Sequence, residues 1–309
     1  MLRQAVLYFS LVAASYLAIF GFQASAAMSS TNYQILWDSV GVGGSDVAVS
    51  SGGTYMLRDV IGGTADGSIS SASYSISAGY RAGVYDPVVK IVYYVQDKNS
   101  QVGTTLLVGT TVTVTTAADF SVGDYAVVVQ DDGASQVAAF GQVVSTTATT
   151  ITVDAWTDGG TAPVIDGSGD FVYELSGASL AFGSLTSSTV ATGIIAWEAT
   201  ADVNQGYGVY VVDSGEPRSL SADTLTDVVD GAVTAGSSEY GGRSSDVSLA
   251  TSTFDTADTG FTTTPQLVAS RSDAVFSARD FLTVKAAISS SQAAGSYSGT
   301  VTLILAGDY

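Results

Sequence analysis

The chain has no cysteine and no histidine, and only four of its 309 residues are proline. Each absence removes some chemistry. Without cysteine there is neither a disulfide nor a lipidated N-terminal cysteine, so an exported chain of this kind must hold together by core burial alone. Without histidine as well, Ser-His-Asp and Cys-His catalytic arrangements and ordinary zinc sites are excluded. No G-x-G-x-x-G, P-loop or G-x-S-x-G elbow is present. Lysine is limited to Lys90, Lys98 and Lys285, which leaves a Ser-Lys dyad unsupported. Basic residues are few, ten Lys plus Arg against 29 Asp plus Glu, for a net charge of −19. The charge is −3 over 28–87, −8 over 88–178 and −9 over 179–309. Acid spread this evenly opposes nucleic acid and anionic membrane surfaces. It suits a self-repelling particle outside a cell. Among so many acids, a carboxylate reads as solvated charge before it reads as half of a glycosidase pair. The composition points away from an enzyme.

The first residues point to export. Arg3 gives a short positive region, an apolar run covers 5–22, and Gln23-Ala24-Ser25-Ala26-Ala27 supplies the small-residue pattern of a cleavage site. Residues 1–26 read as a signal peptide cut after Ala26, with an uncleaved anchor as the alternative. No later stretch is long and apolar enough to span a bilayer, so no membrane contact is expected after cleavage. The expected location is extracellular, at the cell surface.

Gly, Ser, Thr, Ala and Val dominate the chain beyond residue 27. Val and Thr fit a pleated, half-buried surface, and apolar residues recur with period two. The expectation is an all-β chain. Residues 27–87 carry a Tyr repeat: Thr31-Asn32-Tyr33-Gln34-Ile35, Gly53-Thr54-Tyr55-Met56-Leu57 and Ala72-Ser73-Tyr74-Ser75-Ile76. Each Tyr-x-aliphatic pair shares one face of a strand, and the intervening Gly and Ser clusters turn the chain. Three stacked hairpin units are expected there. Residues 88–178 read as a small β-barrel or sandwich, with strands near 88–95, 105–115, 125–130, 136–144, 149–155 and 171–175. Residues 179–309 read as the principal domain, with strands near 179–182, 193–200, 207–213, 281–289 and 296–305. A short helix is expected near 221–229, and loops fill the rest of 220–279.

Short motifs carry a resemblance. Phe120-Ser121-Val122-Gly123-Asp124-Tyr125 is similar to a turn that introduces a strand in bacterial surface and phage-fibre modules. In the last third, three further motifs resemble bacterial fibre subunits of the spore-coat-U-like and fimbrial type. They are Ala181-Phe182-Gly183-Ser184-Leu185, Asn204-Gln205-Gly206-Tyr207-Gly208-Val209 and Gly295-Ser296-Tyr297-Ser298-Gly299-Thr300-Val301. The resemblance implies an immunoglobulin-like β-sandwich with a structural surface role, as a subunit of a fibre, pilus-like appendage or surface layer. The expected partners are other copies of the chain or other surface proteins, joined through exposed strand edges. Residues 28–35 are a candidate donated strand. The alternative is an adhesin or carbohydrate-binding module, with loops around 241–264 meeting a glycan or host surface. Many fimbrial subunits carry a disulfide that this chain lacks.

Candidate ligand sites are few. Asp166-Gly167-Ser168-Gly169-Asp170 places oxygen side chains at alternate positions of a Gly-rich loop, as calcium loops do. Asp166, Ser168, Asp170 and Glu174 form the candidate calcium set, with Asp154 and Asp158 nearby. The run departs from an EF-hand at Phe171 and Gly177. Lys285 is a candidate for an amide bond to Asn204 beside Glu198, against the simpler reading of a Lys guarding an outward strand face. Tyr33, Tyr55 and Tyr74 read as core packing. Trp37, Trp156 and Trp197 fall in different modules and form no single platform.

Overall fold

The computed structural model describes residues 88–249 and 251–308, together with four two-residue strands nearer the N-terminus. It divides into two compact units, residues 1–86 and 87–309. The residues expected to form the signal peptide and the third Tyr unit lie outside the described residues. In the first unit β1 (Ser29–Ser30) pairs antiparallel with β2 (Tyr33–Gln34). Likewise β3 (Ala48–Val49) pairs with β4 (Met56–Leu57). Both strands of the first pair lie in the segment expected to be a donated strand, with Ser30 opposite Tyr33.

The second unit is all-β, as the composition implied. Six strands close into a barrel: β6 (Val102–Val108), β7 (Thr111–Val114), β8 (Tyr125–Gln130), β9 (Val137–Thr146), β10 (Thr150–Val153) and β11 (Phe171–Glu174), in the order β10-β7-β6-β11-β8-β9. The single strand expected over 105–115 is a tight hairpin instead, with Val108 opposite Thr111. The turn motif before β8 closes on itself as its sequence suggested. The Ser121 amide donates to the Asp124 carboxylate at 2.7 Å. Alternate residues fill the barrel: Val112, Val114, Val128, Ala139, Ile151, Val153 and Val172 are buried there with Phe120.

Two sheets make up the rest. One has five strands in the order β14-β15-β17-β12-β5. These are β5 (Val89–Val95), β12 (Ala191–Ala201), β14 (Thr226–Asp227), β15 (Glu239–Ser244) and β17 (Val275–Ala287). The other has three, β16 (Gln266–Arg271), β13 (Tyr207–Asp213) and β18 (Val301–Gly307), in that order. They face each other across one core, which takes Trp197, Ala199 and Ala201 from β12, Leu282, Val284 and Ala286 from β17, and Val209 and Val211 from β13.

The strand near 88–95 corrects the expected module boundary. β5 pairs with β12 and not with the barrel, so the barrel is an insert between two neighbouring strands of the large sheet. The insert leaves and returns at one place, where the Gly177 amide donates to the Val95 carbonyl at 2.8 Å. Residues 179–182 form no strand, and Leu180 and Phe182 pack on the edge of the core. No helix forms near 221–229. The Ser219 hydroxyl accepts from the amides of Ser221 and Asp223 and holds a turn, the kind of local competition that keeps Ser out of helix interiors. Strands β15 and β16 lie in the stretch read as loops, because Gly241, Gly242 and the polar ends of both strands break the apolar alternation.

The five-stranded sheet is covered on both faces. The alternation predicted for residues 281–288 holds: Leu282, Val284 and Ala286 face the three-stranded sheet. The opposite face is also buried. Phe281, Ile194 and Ala196 pack against Val127, Val129, Ala138, Phe140 and Tyr173 on the outside of the barrel. Lys285 consequently guards no outward face. It is 7% exposed, and its Nζ lies 2.9 Å from Asp258 Oδ1 and donates to the Ala134 carbonyl on the barrel's β8–β9 connection at 3.0 Å. Glu198 lies opposite Arg279, far along the strand from Lys285, so the expected amide-bond partners are not brought together.

Truncating one member of a buried pair leaves the other charged and desolvated. Lys285→Met should lower the unfolding free energy by about 3–5 kcal/mol. The pair Lys285→Met with Asp258→Asn keeps an acceptor for the Val233 amide and should recover most of that loss. Urea unfolding of the three full-length proteins checks this, and an equal loss in single and double variants would show that charge pairing does not hold the seam.

Candidate functional site

Two features of the second unit present chemistry to a partner: an open strand edge and a polar cleft. The sheets have four edges. β14 is two residues long, and β16 ends in Arg271, which is tied into ion pairs. β5 carries Lys90 on its exposed side. These are ordinary ways of blunting an edge. β18 has none of them. Among the described residues it pairs on one side only, with β13, and Val-Thr-Leu-Ile-Leu-Ala-Gly contains neither charge nor proline. Its inward residues Val301, Leu303 and Leu305 touch the core yet are only half-buried. Ile304, on the other face, is 41% exposed. Beside it, β5 leaves Val89 and Ile91 half-buried against the same core.

The cleft has a volume of about 570 Å³ and lies where the barrel meets the two sheets. The barrel supplies the segment after β10, which runs back along β9. Thr157 and Phe140 exchange backbone hydrogen bonds of 2.9 and 3.0 Å, and this places Trp156 and Asp158 on the wall. The sheets supply the turn after β15, the end of β16 and the Arg279-Asp280 step of β17. The Ser245 amide donates to the Phe281 carbonyl at 2.9 Å, and the Phe281 amide donates to Ser245 Oγ at 2.8 Å, fastening that turn to β17. Gly159 adopts φ +66°, and a Cβ there would come within 2.7 Å of the Ser245 carbonyl. Only glycine allows barrel and sheet to approach this closely.

Two arginines lock the walls. Arg271 donates to both oxygens of Asp280 at 2.9 and 2.8 Å and to Asp246 at 3.0 Å. Arg279 joins Glu198 on β12 to Asp154 on the barrel, each at 2.8 Å, and lies over the Tyr125 ring, 5.4 Å from its centroid. Burial would lower both guanidinium pKa values, but the carboxylates around them prevail and raise them. Burial also pushes Asp246 upward, yet hydrogen bonds from Ser248 and the Ser270 amide, with the charge of Arg271, hold it below the usual carboxylate range. Asp280 goes the other way. Burial outweighs Arg271 and lifts its carboxyl to about 6. The Tyr207 hydroxyl, in the field of Asp280, Arg271 and Asp246, is buried without a hydrogen-bond partner among the described residues, as is the indole N–H of Trp156.

The calcium candidates are only partly assembled. Asp166, Ser168 and Asp170 share one turn, but its carboxylates serve the turn itself. Asp170 accepts from the amides of Asp131, Asp166 and Gly167, and Asp166 accepts from the Ser168 amide. Glu174 lies four residues along β11, about 13 Å away at strand rise. Burial raises its carboxyl, with Asp124, Asp97 and Asp119 as its charged neighbours. Asp154 is committed to Arg279, while Asp158 lies at the cleft and accepts from the Gly160 amide. No group of three or more acidic side chains among the described residues is placed to hold a metal ion. The chain matches no protein-family model, no curated protein and no solved structure.

Sequence reasoning missed the cleft. One signal was available: where bases are so few, an Arg or Lys inside a strand-length apolar segment needs a buried acid. Arg271, Arg279 and Lys285 all sit in such segments.

The Asp280 shift has a definite sign. A folded-state pKa above the unfolded value means that the folded chain holds the proton more tightly between about pH 4 and 6. Asp280 therefore contributes stability at low pH that is lost as pH rises through 6, by about 2–3 kcal/mol. Asp280→Asn should flatten the stability profile between pH 4 and 7 relative to the parent, read from urea midpoints. Parallel profiles for the two proteins would refute the assignment.

Proposed function

We propose that this chain is a secreted structural subunit of the cell surface, whose C-terminal sheets form an immunoglobulin-like sandwich that joins other copies, or other surface proteins, by strand addition. One observation carries the reading: β18 is a seven-residue edge strand without charge or proline in a chain of net charge −19. Two such chains repel over most of their surface, and an uncharged edge is where they can meet. An added strand would satisfy the open side of β18 with main-chain hydrogen bonds and cover Leu303 and Leu305, whose burial the two sheets leave unfinished. The N-terminal Tyr units belong to the same reading as further strand-forming elements, and the export signal read from residues 1–26 fits an assembly outside the cell.

Association through β18 should strengthen with ionic strength, because salt screens the general repulsion and leaves the edge untouched. Ile304→Lys should abolish it while changing unfolding free energy by less than about 0.5 kcal/mol, the usual range for an exposed site. Sedimentation and negative-stain microscopy of the full chain at low and high salt provide the measurement. A parent protein that stays monomeric at high concentration and high salt would sink the proposal.

A further inference from the structure

The cleft between barrel and sheets answers to a different chemistry from the β18 edge. Most of its lining residues are polar, among them Thr157, Ser245, Ser248, Ser270 and Ser272, while its exposed surface is divided about evenly between polar and apolar atoms. Asp158 adds an acceptor, Asp246 and Asp280 being held by Arg271, and the only large apolar side chains in the lining are Trp156 and the 64% exposed Val247. Two such side chains, set among hydroxyls and carboxylates, do not make the continuous apolar lining that a lipid or an apolar peptide needs. Both guanidiniums at the cleft are already matched by carboxylates, so no uncompensated positive charge remains for an anion. Among the described residues, no cluster of acids is placed for a metal ion.

What remains is a ligand that brings many hydroxyls, no charge and one apolar ring face. We infer that the cleft binds a neutral saccharide, with a pyranose ring against Trp156 and its hydroxyls shared among the serines and Asp158. The volume of about 570 Å³ falls inside the range of ordinary small-molecule sites, roughly 300–1,000 Å³. Trp156 is fixed from behind by packing on the barrel core, and Arg271 and Arg279 hold the opposite walls, so little side-chain ordering is left for the ligand to bring about. The indole N–H of Trp156, a residue of the cleft wall, is buried without a hydrogen-bond partner among the described residues.

The test uses the full chain and a defined panel of neutral oligosaccharides, namely cellotriose, maltotriose, mannotriose and the N-acetylglucosamine trimer, followed by calorimetry and tryptophan fluorescence. At least one should bind with a change in fluorescence, since Trp197 is fully buried and Trp156 lines the cleft. Trp156→Ala should weaken that binding at least tenfold. Because this change also removes packing from the barrel, Ser272→Trp serves as the second variant: it adds bulk at an exposed cleft position, should leave the melting temperature unchanged, and should also weaken binding at least tenfold. Ile304→Lys should bind as the parent does. Binding that survives Ser272→Trp, or no binding across the panel at millimolar concentration, overturns the inference.

Discussion

A sheet covered on both faces is the constraint on which the second unit depends. β12 and β17 lie at its centre, and their alternate residues belong to two different cores. Trp197 and Leu282 belong to the core between the sheets, while Ile194 and Phe281 belong to the seam against the barrel. Neither face can be exposed without stripping apolar area from water-free packing, at roughly 25 cal/mol per Å². The barrel is therefore part of the packing of the sheet. Its strand β8 shows the same double burial, with Ala126 and Val128 inside the barrel and Val127 and Val129 against the sheet.

Double coverage makes polar groups at the seam expensive, and the chain keeps three basic side chains there all the same. Lys285 meets Asp258 beside a barrel carbonyl. Arg279 joins Asp154 of the barrel to Glu198 of the sheet, and Arg271 links the end of one sheet to the other. Such pairs seldom add net stability over apolar packing, but they penalise any docking in which a charge loses its partner. They select one way for barrel and sheets to fit. The polar cleft lies at the rim of this seam, where the apolar contact ends and the ion pairs reach water.

The legibility of the sequence follows from the same layout. β13 was readable to the residue over 207–213 because its alternation is clean, and the barrel strands β8 to β10 were readable within a few residues. The alternation of Leu282, Val284 and Ala286 was also visible, but not that the opposite face would be covered. A continuous apolar run is what a doubly covered strand shows, and the lysine within it disguised the run. The assignment of β5 to the large sheet was beyond local pattern, because its partner β12 is about a hundred residues away in sequence. The cleft was invisible for a related reason: its residues come from segments near 156, 246, 271 and 280 that only tertiary packing gathers. The acidic loop at 166–170 did stand out, yet its amides claim the carboxylates that a cation would need.

The position of the barrel within the chain also bears on the order of folding. The Ile194 amide donates to Gln96 across a separation of 98 residues, and an open loop of that length is slow to close. The barrel spans most of that distance, and half of its strand pairs, β6–β7, β8–β9 and β9–β10, are hairpins of short range. Its ends lie side by side, with the Asp97 amide donating to the Glu174 carbonyl at 2.9 Å. Once the barrel has closed, β5 and β12 are tethered through the connections 96–101 and 175–190 instead of by nearly a hundred residues of open chain, and their pairing becomes far more local. The insert thus acts as a built-in clasp, turning the longest-range contact of the large sheet into one of its nearest.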